Sequence, residues 1–189
     1  MWISCNWLSR HVDLSGVDLD DLGRRFTLAV AELEGVERVG GHLKTVVVGH
    51  VLSAEPMEGT KLRICSVDTG DSEPRSIVCG APNVAAGQRV PVALPGTTMG
   101  DLTIAERRVQ GQLSQGMIAS ESELGLGEDH SGILVLDGAP APGTSITELF
   151  PVEDTLFEID NKSLTHRPDL WGHRGIAREV AALLDRPLR

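Results

Sequence analysis

The sequence is 189 residues long, 41% hydrophobic and 23% charged. That describes a folded soluble chain with one medium core or two small ones, and it excludes disordered and fibrous classes. The formal net charge of −10 argues by itself against a general nucleic-acid coat or a membrane-surface binder. The charge is unevenly spread: residues 116–160 hold ten acidic and no basic side chains, residues 60–115 hold six basic and five acidic, and residues 161–189 hold six basic and three acidic. A phosphate-facing surface is therefore allowed on the middle and the C-terminal end, provided the acidic stretch points away from it. No apolar run is long enough for a transmembrane helix, and Met1–Trp7 lacks a secretory signal pattern. Cys5, Cys65 and Cys79 are odd in number and widely spaced, which points to a reducing, cytoplasmic setting without a disulfide scaffold. Tyr is absent and Phe and Trp number three each, too few for a broad base-stacking platform.

In chain order, a short lead-in or strand precedes a helix opened by Ser15 or Asp18. Asp21 stands in the N3 position relative to Asp18. Leu22, Phe26, Ala29 or Val30, and Leu33 follow at helical spacing, with Gly35 as the stop. Gly40-Gly41 marks a boundary. From Lys44 onward short β-rich runs take over: 45–52, 61–67, 76–79, 89–94, 102–104 and 116–120, separated by glycines. This spacing predicts a closed or nearly closed all-β unit, with Ile133–Leu136 closing it and Pro91 demanding an edge or a bulge. Residues 156–160 are predicted as another strand and 171–184 as a helix with Ile176, Val180, Leu183 and Leu184 on its apolar face. The ends are mixed α and β while the middle is all β. The economical arrangement is an α+β discontinuous domain, residues 1–39 and 151–189, with an inserted all-β barrel at 40–150.

The chemistry-bearing motifs are sparse. There is no G-x-G-x-x-G, Walker A or G-x-S-x-G sequence. Cys65 and Cys79 fit buried packing. Glu121, Glu123, Glu128 and Asp129 do not follow a calcium-loop pattern and fit a solvated face. His166, His173 and Asp169 lack the supporting ligands of a metal site. The loop from Asp160 to Gly175 allows two readings: an anion contact through Arg167, Arg174 and the helix start, or a structured loop in which Arg167 pairs with an acidic neighbour. Arg107 and Arg108 are adjacent, so on a strand they face opposite sides.

Two blocks carry a resemblance. One is Ile77–Val84 (IVCGAPNV) with Gly87–Gly96 (GQRVPVALPG), and the other is Gly111–Ser120 (GQLSQGMIAS) with Glu123-Leu124-Gly125. Both resemble the tRNA-binding, oligonucleotide-binding (OB) domain of the bacterial phenylalanine–tRNA ligase β-subunit family. Ser4–Leu8, Phe26–Gly35, and His166–Asp169 leading to Gly175–Glu179 resemble the domain that flanks it. The resemblance implies a non-catalytic tRNA-binding or structural region, with no catalytic residue and no metal or cofactor of its own. It also implies that the chain is an N-terminal portion of a longer subunit. The parent ligase would be an α2β2 tetramer that pairs this subunit with an α subunit and uses ATP and magnesium to attach phenylalanine to tRNA. Lys61, Arg63, Arg107, Arg108, Arg167 and Arg174 are the expected tRNA contacts. The sequence departs from the family at Pro56–Leu62, where a Pro-His-Pro-x-Ala-Asp-x-Leu pattern has lost its His and Asp, and in the longer Asn161–Asp169 loop. Two alternatives stay open: a subunit-packing module with little RNA contact, and a free-standing tRNA-binding protein.

Overall fold

The structure, a computed structural model, describes residues 1–189. The chain divides into two compact units, Met1–Gly41 with Val152–Arg189 and His42–Pro151. In the first stretch, strand β1 (Trp2–Ser4) runs into a single helical turn, α1 (Cys5–Leu8), capped by the Ser4 hydroxyl, which accepts from Trp7 N–H at 2.9 Å. Asp18 opens α2 (Leu19–Ala29), its carboxylate accepting from the N–H groups of Asp20 and Asp21. Asp21 does not reach back to the cap but pairs with Arg24 at 3.0 Å. The helix ends at Ala29, six residues before the expected stop. Leu33–Val39 is a strand, β2, and Thr27 Oγ1 accepts from Leu33 N–H across the turn. The helical spacing of Leu33 was coincidental. A six-pair ladder with a later strand outweighs local periodicity. Gly35 lies inside that ladder, beside the Glu158 side chain. At Gly40, with φ +76°, an added Cβ would lie 2.6 Å from the Val152 carbonyl oxygen, so only glycine fits there.

The middle unit is built on β3 (Val46–Pro56), β4 (Arg63–Asp68), β5 (Arg75–Cys79), β6 (Arg89–Ala93) and, after two short hairpins, β11 (Met117–Ile118). The hairpins are β7 (Thr98–Met99) with β8 (Leu102–Thr103), and β9 (Arg107–Val109) with β10 (Gln112–Ser114). The five main strands form an antiparallel sheet in the order β11-β6-β3-β4-β5. A register shift between Val51 and Ser53 bends β3. Gly49 lets the sheet curl, since a Cβ there would come within 2.5 Å of Val92 and 2.7 Å of Val67. The free edges meet without a regular ladder. Gln115 N–H donates to Ser76 O at 2.8 Å, its side-chain oxygen accepts from Ser76 N–H, and Ser114 Oγ accepts from Val78 N–H. The result is a nearly closed five-stranded barrel. Val51, Cys65, Val67, Ile77, Val90 and Val92 form one buried cluster, and Leu43, Val46, Val48, Ala93, Leu124 and Ile146 belong to another.

Two expectations for this unit are corrected. Pro91 sits in β6, which has neighbours on both sides, so it is neither on an edge strand nor at a register shift. Its partner Val48 directs its own N–H and C=O to Thr144 and Gly143, so the missing proline donor faces away from β3, beyond the two-residue β11. Ile133–Leu136 is buried in part but is not a strand. Leu134 N–H bonds Ala119 O, Leu136 N–H bonds Arg89 O, and the Asn83 side chain holds Ile133. Partners drawn from three places form no ladder. A further turn of helix, α3 (Ile146–Leu149), is capped by Ser145.

The last stretch returns to the first unit. β12 (Asp154–Ile159) pairs with β1 on one side and β2 on the other, giving an antiparallel three-stranded sheet. α4 (His173–Leu184) starts two residues later than expected because Gly172, at φ +132°, breaks the approach. It ends at Asp185 in the left-handed region, where the N–H groups of Asp185 and Arg186 satisfy the Ala182 and Ala181 carbonyls. Ile3, Leu8, Phe26, Phe157, Ile176 and Val180 are fully buried between sheet and helices. No helix of the chain is long and apolar enough to cross a membrane.

Candidate nucleic-acid interface

A groove of about 520 Å³ runs along the barrel unit. It is lined by Gly80, Ala81 and Pro82, which follow β5, with Leu62 beside Gly80, and by Leu102–Ala105, Arg107 and Val109. Ser114, Gly116–Ile118, and residues of the loops around Ser120–Glu123 and His130–Ile133 complete the lining. Both sequence blocks that carry the resemblance therefore converge on this groove.

Most polar residues of those blocks hold the lining in place. The Asn83 amide brackets the Ile133 backbone, donating to its C=O and accepting from its N–H, both at 2.9 Å. Gln88 closes the preceding turn, accepting from Ala85 N–H at 2.8 Å and donating to Asn83 O at 2.9 Å. Ser120 and Glu123 form a reciprocal pair: the Ser120 N–H and hydroxyl donate to the Glu123 carboxylate at 2.7 and 2.8 Å, and Glu123 N–H donates back to Ser120 Oγ. This is capping-box chemistry closing a loop. Its Ser-x-x-Glu spacing was visible in the sequence, but its place beside the groove was not. The acidic stretch thus does not point wholly away from the groove. Glu123 and His130 line it.

The cationic candidates separate. Arg107 lines the groove. Arg63 is the cross-strand partner of Cys79, another lining residue. Lys61 is exposed and adjoins Leu62. None of the three spends its charge in an ion pair with another side chain of the chain. The loop before them, Pro56–Leu62, is closed by its own bonds, Met57 N–H to Leu62 O and Leu62 N–H to Thr60 Oγ1. Arg108 turns the other way and donates to Gly111 O at 2.9 Å within its own hairpin. Arg167 belongs to the other unit and is consumed there. It forks onto Asp169 at 3.0 and 2.9 Å and reaches Glu179 at 2.7 Å, while Arg178 also bonds Asp169. These guanidinium bonds lower the Asp169 pKa to about 2. Arg174 is exposed and lines a separate groove.

The cysteines are free and buried. Burial pushes the Cys5 thiol up to about 12 and the Cys65 thiol up to about 11, and raises Cys79, with Arg63 opposing the shift at the last two. His173 accepts a hydrogen bond from Ser4 N–H at 3.0 Å, and burial holds its pKa below the ordinary value. No three His, Cys, Asp or Glu side chains cluster as a metal site would require.

A nearly closed barrel with an open groove, flanked by cations that form no ion pair within the chain, defines a small β-barrel binding module. The chain belongs to the family described as "Putative tRNA binding domain", which matches residues 46–145. Over its full length it is 46% identical to a phenylalanine–tRNA ligase beta subunit from Nitratidesulfovibrio vulgaris, covering 23% of that protein. It is 42% identical to the beta subunit from Salinibacter ruber, covering 24% of it. The chain thus spans about a quarter of the length of these relatives. Among solved structures it is similar to a MetRS related protein from Pyrococcus horikoshii, with 25% identity, 53% of this chain and 86% of that one covered, and a TM-score of 0.39.

Proposed function

We propose that the chain is the non-catalytic tRNA-binding region of a phenylalanine–tRNA ligase β subunit. In this reading the barrel is an oligonucleotide-binding fold inserted into a discontinuous α+β domain, and its groove holds the sugar–phosphate backbone. The parent is an α2β2 assembly with the α subunit, working in the cytoplasm, and ATP and magnesium serve its aminoacylation site rather than this chain. The observation that carries the reading is the groove itself, lined by Arg107 and bordered by Arg63 and Lys61, all without internal ion pairs. Such contacts bind phosphate regardless of base and position the RNA.

The test is a titration of the chain with its cognate tRNA at several salt concentrations. The expected result is weak binding that falls steeply with salt. Arg63→Ala and Arg107→Ala each flatten the log–log salt slope by about 0.7–0.9. Binding that ignores both substitutions, or none at low salt, refutes it. A second reading is favoured by charge: residues 42–151 carry 7 basic and 13 acidic side chains. A barrel that serves to pack against protein neighbours would show that balance and would leave tRNA unbound at low salt.

A further inference from the structure

The three tryptophans, Trp2, Trp7 and Trp171, all lie in the unit formed by the chain ends, and all three are about half exposed. Two of them, Trp7 and Trp171, line one groove together with His173, Arg174 and Arg178. Exposed indoles are costly to leave in water and are enriched where a partner covers them.

Neither indole in the groove hangs loose. Trp7 stacks on His173 with ring centroids 4.2 Å apart and planes 22° from parallel. His173 is itself fixed by the bond from Ser4 N–H. Its lone pair accepts that bond, and burial disfavours its charged form, so the stack is aromatic on aromatic. Trp171 is held through its indole N–H, which donates to Leu164 O at 3.3 Å. Both rings are therefore ordered before anything binds, which lowers the entropic cost of stacking on them. Arg174 is exposed and has no carboxylate partner, whereas Arg178 faces Asp169, the one carboxylate on the groove. Fixed aromatic faces beside an unneutralised guanidinium suit a base on the rings with a phosphate on the arginine.

We infer that this groove is a second RNA site, which stacks an unpaired nucleotide of a single-stranded segment on Trp7 or Trp171 and holds its phosphate with Arg174. It is distinct from the barrel groove and does not depend on the barrel binding tRNA. An acidic peptide would use Arg174 but would leave the indole faces without a planar partner, so RNA fits the whole groove better.

The location of the tryptophans makes the test selective. Residues 42–151 contain none, so indole fluorescence reports only the unit that carries this groove. The intact chain is titrated with a single-stranded ten-nucleotide oligouridylate and, separately, a ten-nucleotide oligoadenylate at low salt. Quenching is expected with both, and more strongly with the better-stacking adenine. Trp7→Leu and Trp171→Leu are each expected to weaken affinity by fivefold or more, with the salt slope unchanged. Arg174→Gln, at an exposed position, is expected to flatten the slope by about 0.7. Trp2→Leu, outside the groove, should leave affinity as it was. With Arg63→Ala and Arg107→Ala combined, quenching should persist, because those residues belong to the barrel. Absence of quenching, or quenching and affinity unmoved by the Trp7, Trp171 and Arg174 substitutions, overturns the inference. If the oligonucleotides bind but only the Arg63 and Arg107 changes abolish binding, the barrel reading stands and this one fails. If the exposed indoles instead become covered in a self-associated form of the chain that Trp171→Leu dissociates, the groove is a protein contact and the inference is refuted.

Discussion

Asn83→Ala should loosen the part of the barrel groove lined by Ile133, and the structure sets the size of the effect. The amide makes two bonds of 2.9 Å to the backbone of Ile133, a residue only 6% exposed. It does for Ile133 what a neighbouring strand would do, and Gly132 leaves the space, since a Cβ there would fall 2.4 Å from Asn83 Oδ1. Each such bond contributes about 1 kcal/mol net, and an orphaned buried backbone group costs about 1–3 kcal/mol. Asn83 itself is exposed, so water can replace part of what is lost, and about 2 kcal/mol is the expected total. The assay is urea unfolding followed by circular dichroism, together with amide hydrogen exchange at Ile133. The barrel transition should move to lower urea, and the Ile133 amide should lose protection while amides in the β3–β4 ladder keep theirs. A loss below about 0.5 kcal/mol with unchanged exchange at Ile133 would refute the argument. It would mean that burial of Ile133 and Leu136, not the amide bracket, holds this segment.

Two predictions concern the other unit. Gly175→Ala would place a Cβ 2.0 Å from the Asp169 carbonyl oxygen. The turn before α4 must then shift, and stability should fall by about 2–3 kcal/mol, read as a lower melting temperature. Asp169 has a native pKa of about 2, below its ordinary 3.8, because Arg167 and Arg178 bond its charged form. The stabilisation this gives is complete above about pH 4 and is lost as pH falls towards 2. Asp169→Asn should remove that part of the acid dependence of the melting temperature, and an unchanged profile would show that the fork onto Arg167 does not couple to folding.

The barrel was legible because its signals are local. Short β-branched runs punctuated by glycines identify strands, and every main strand of the sheet fell within or beside such a run. What was not legible depended on distant partners. Leu33 to Gly35 reads as the end of a helix until β12, more than a hundred residues later, offers Leu33–Val39 a ladder. Ile133–Leu136 has strand composition, yet its hydrogen bonds go to a side chain and two unrelated segments. Pro91 breaks a rule of composition and satisfies one of geometry, because alternation of the ladder aims its missing donor past the end of β11. At the candidate site, residue type showed which side chains could meet phosphate but not which were already engaged. Arg107 and Arg108 differ only in strand parity, and one lines the groove while the other bonds its own hairpin. The Trp7 and Trp171 groove joins the two ends of the sequence, a juxtaposition no local pattern encodes.

The charge distribution follows the same logic. A total of −10 suggests repulsion of any polyanion, but at physiological salt a charge acts over roughly 8 Å, so local balance decides. Several barrel carboxylates are occupied by neighbours. Glu123 takes the Ser120 N–H and hydroxyl, Asp71 takes Arg75 and Thr69, Asp68 takes Gly70 N–H and Asp129 takes Ser131 N–H. Lys61, Arg63 and Arg107 are not so engaged. Hydrogen bonding does not erase the charge of those carboxylates, but it fixes where they are, in loops and, for Glu123, on the lining of the groove. An RNA backbone in this groove would therefore be attracted by Arg63 and Arg107 and repelled by Glu123, which lines the same groove and whose charge, like that of Arg63, reaches Cys79. Glu123→Gln should then tighten tRNA binding at low salt and lose that advantage as salt rises, because removing one repulsive charge matters only where screening is weak. Binding that weakens instead would place the value of Glu123 in holding the Ser120 loop, with the groove's shape counting for more than its charge.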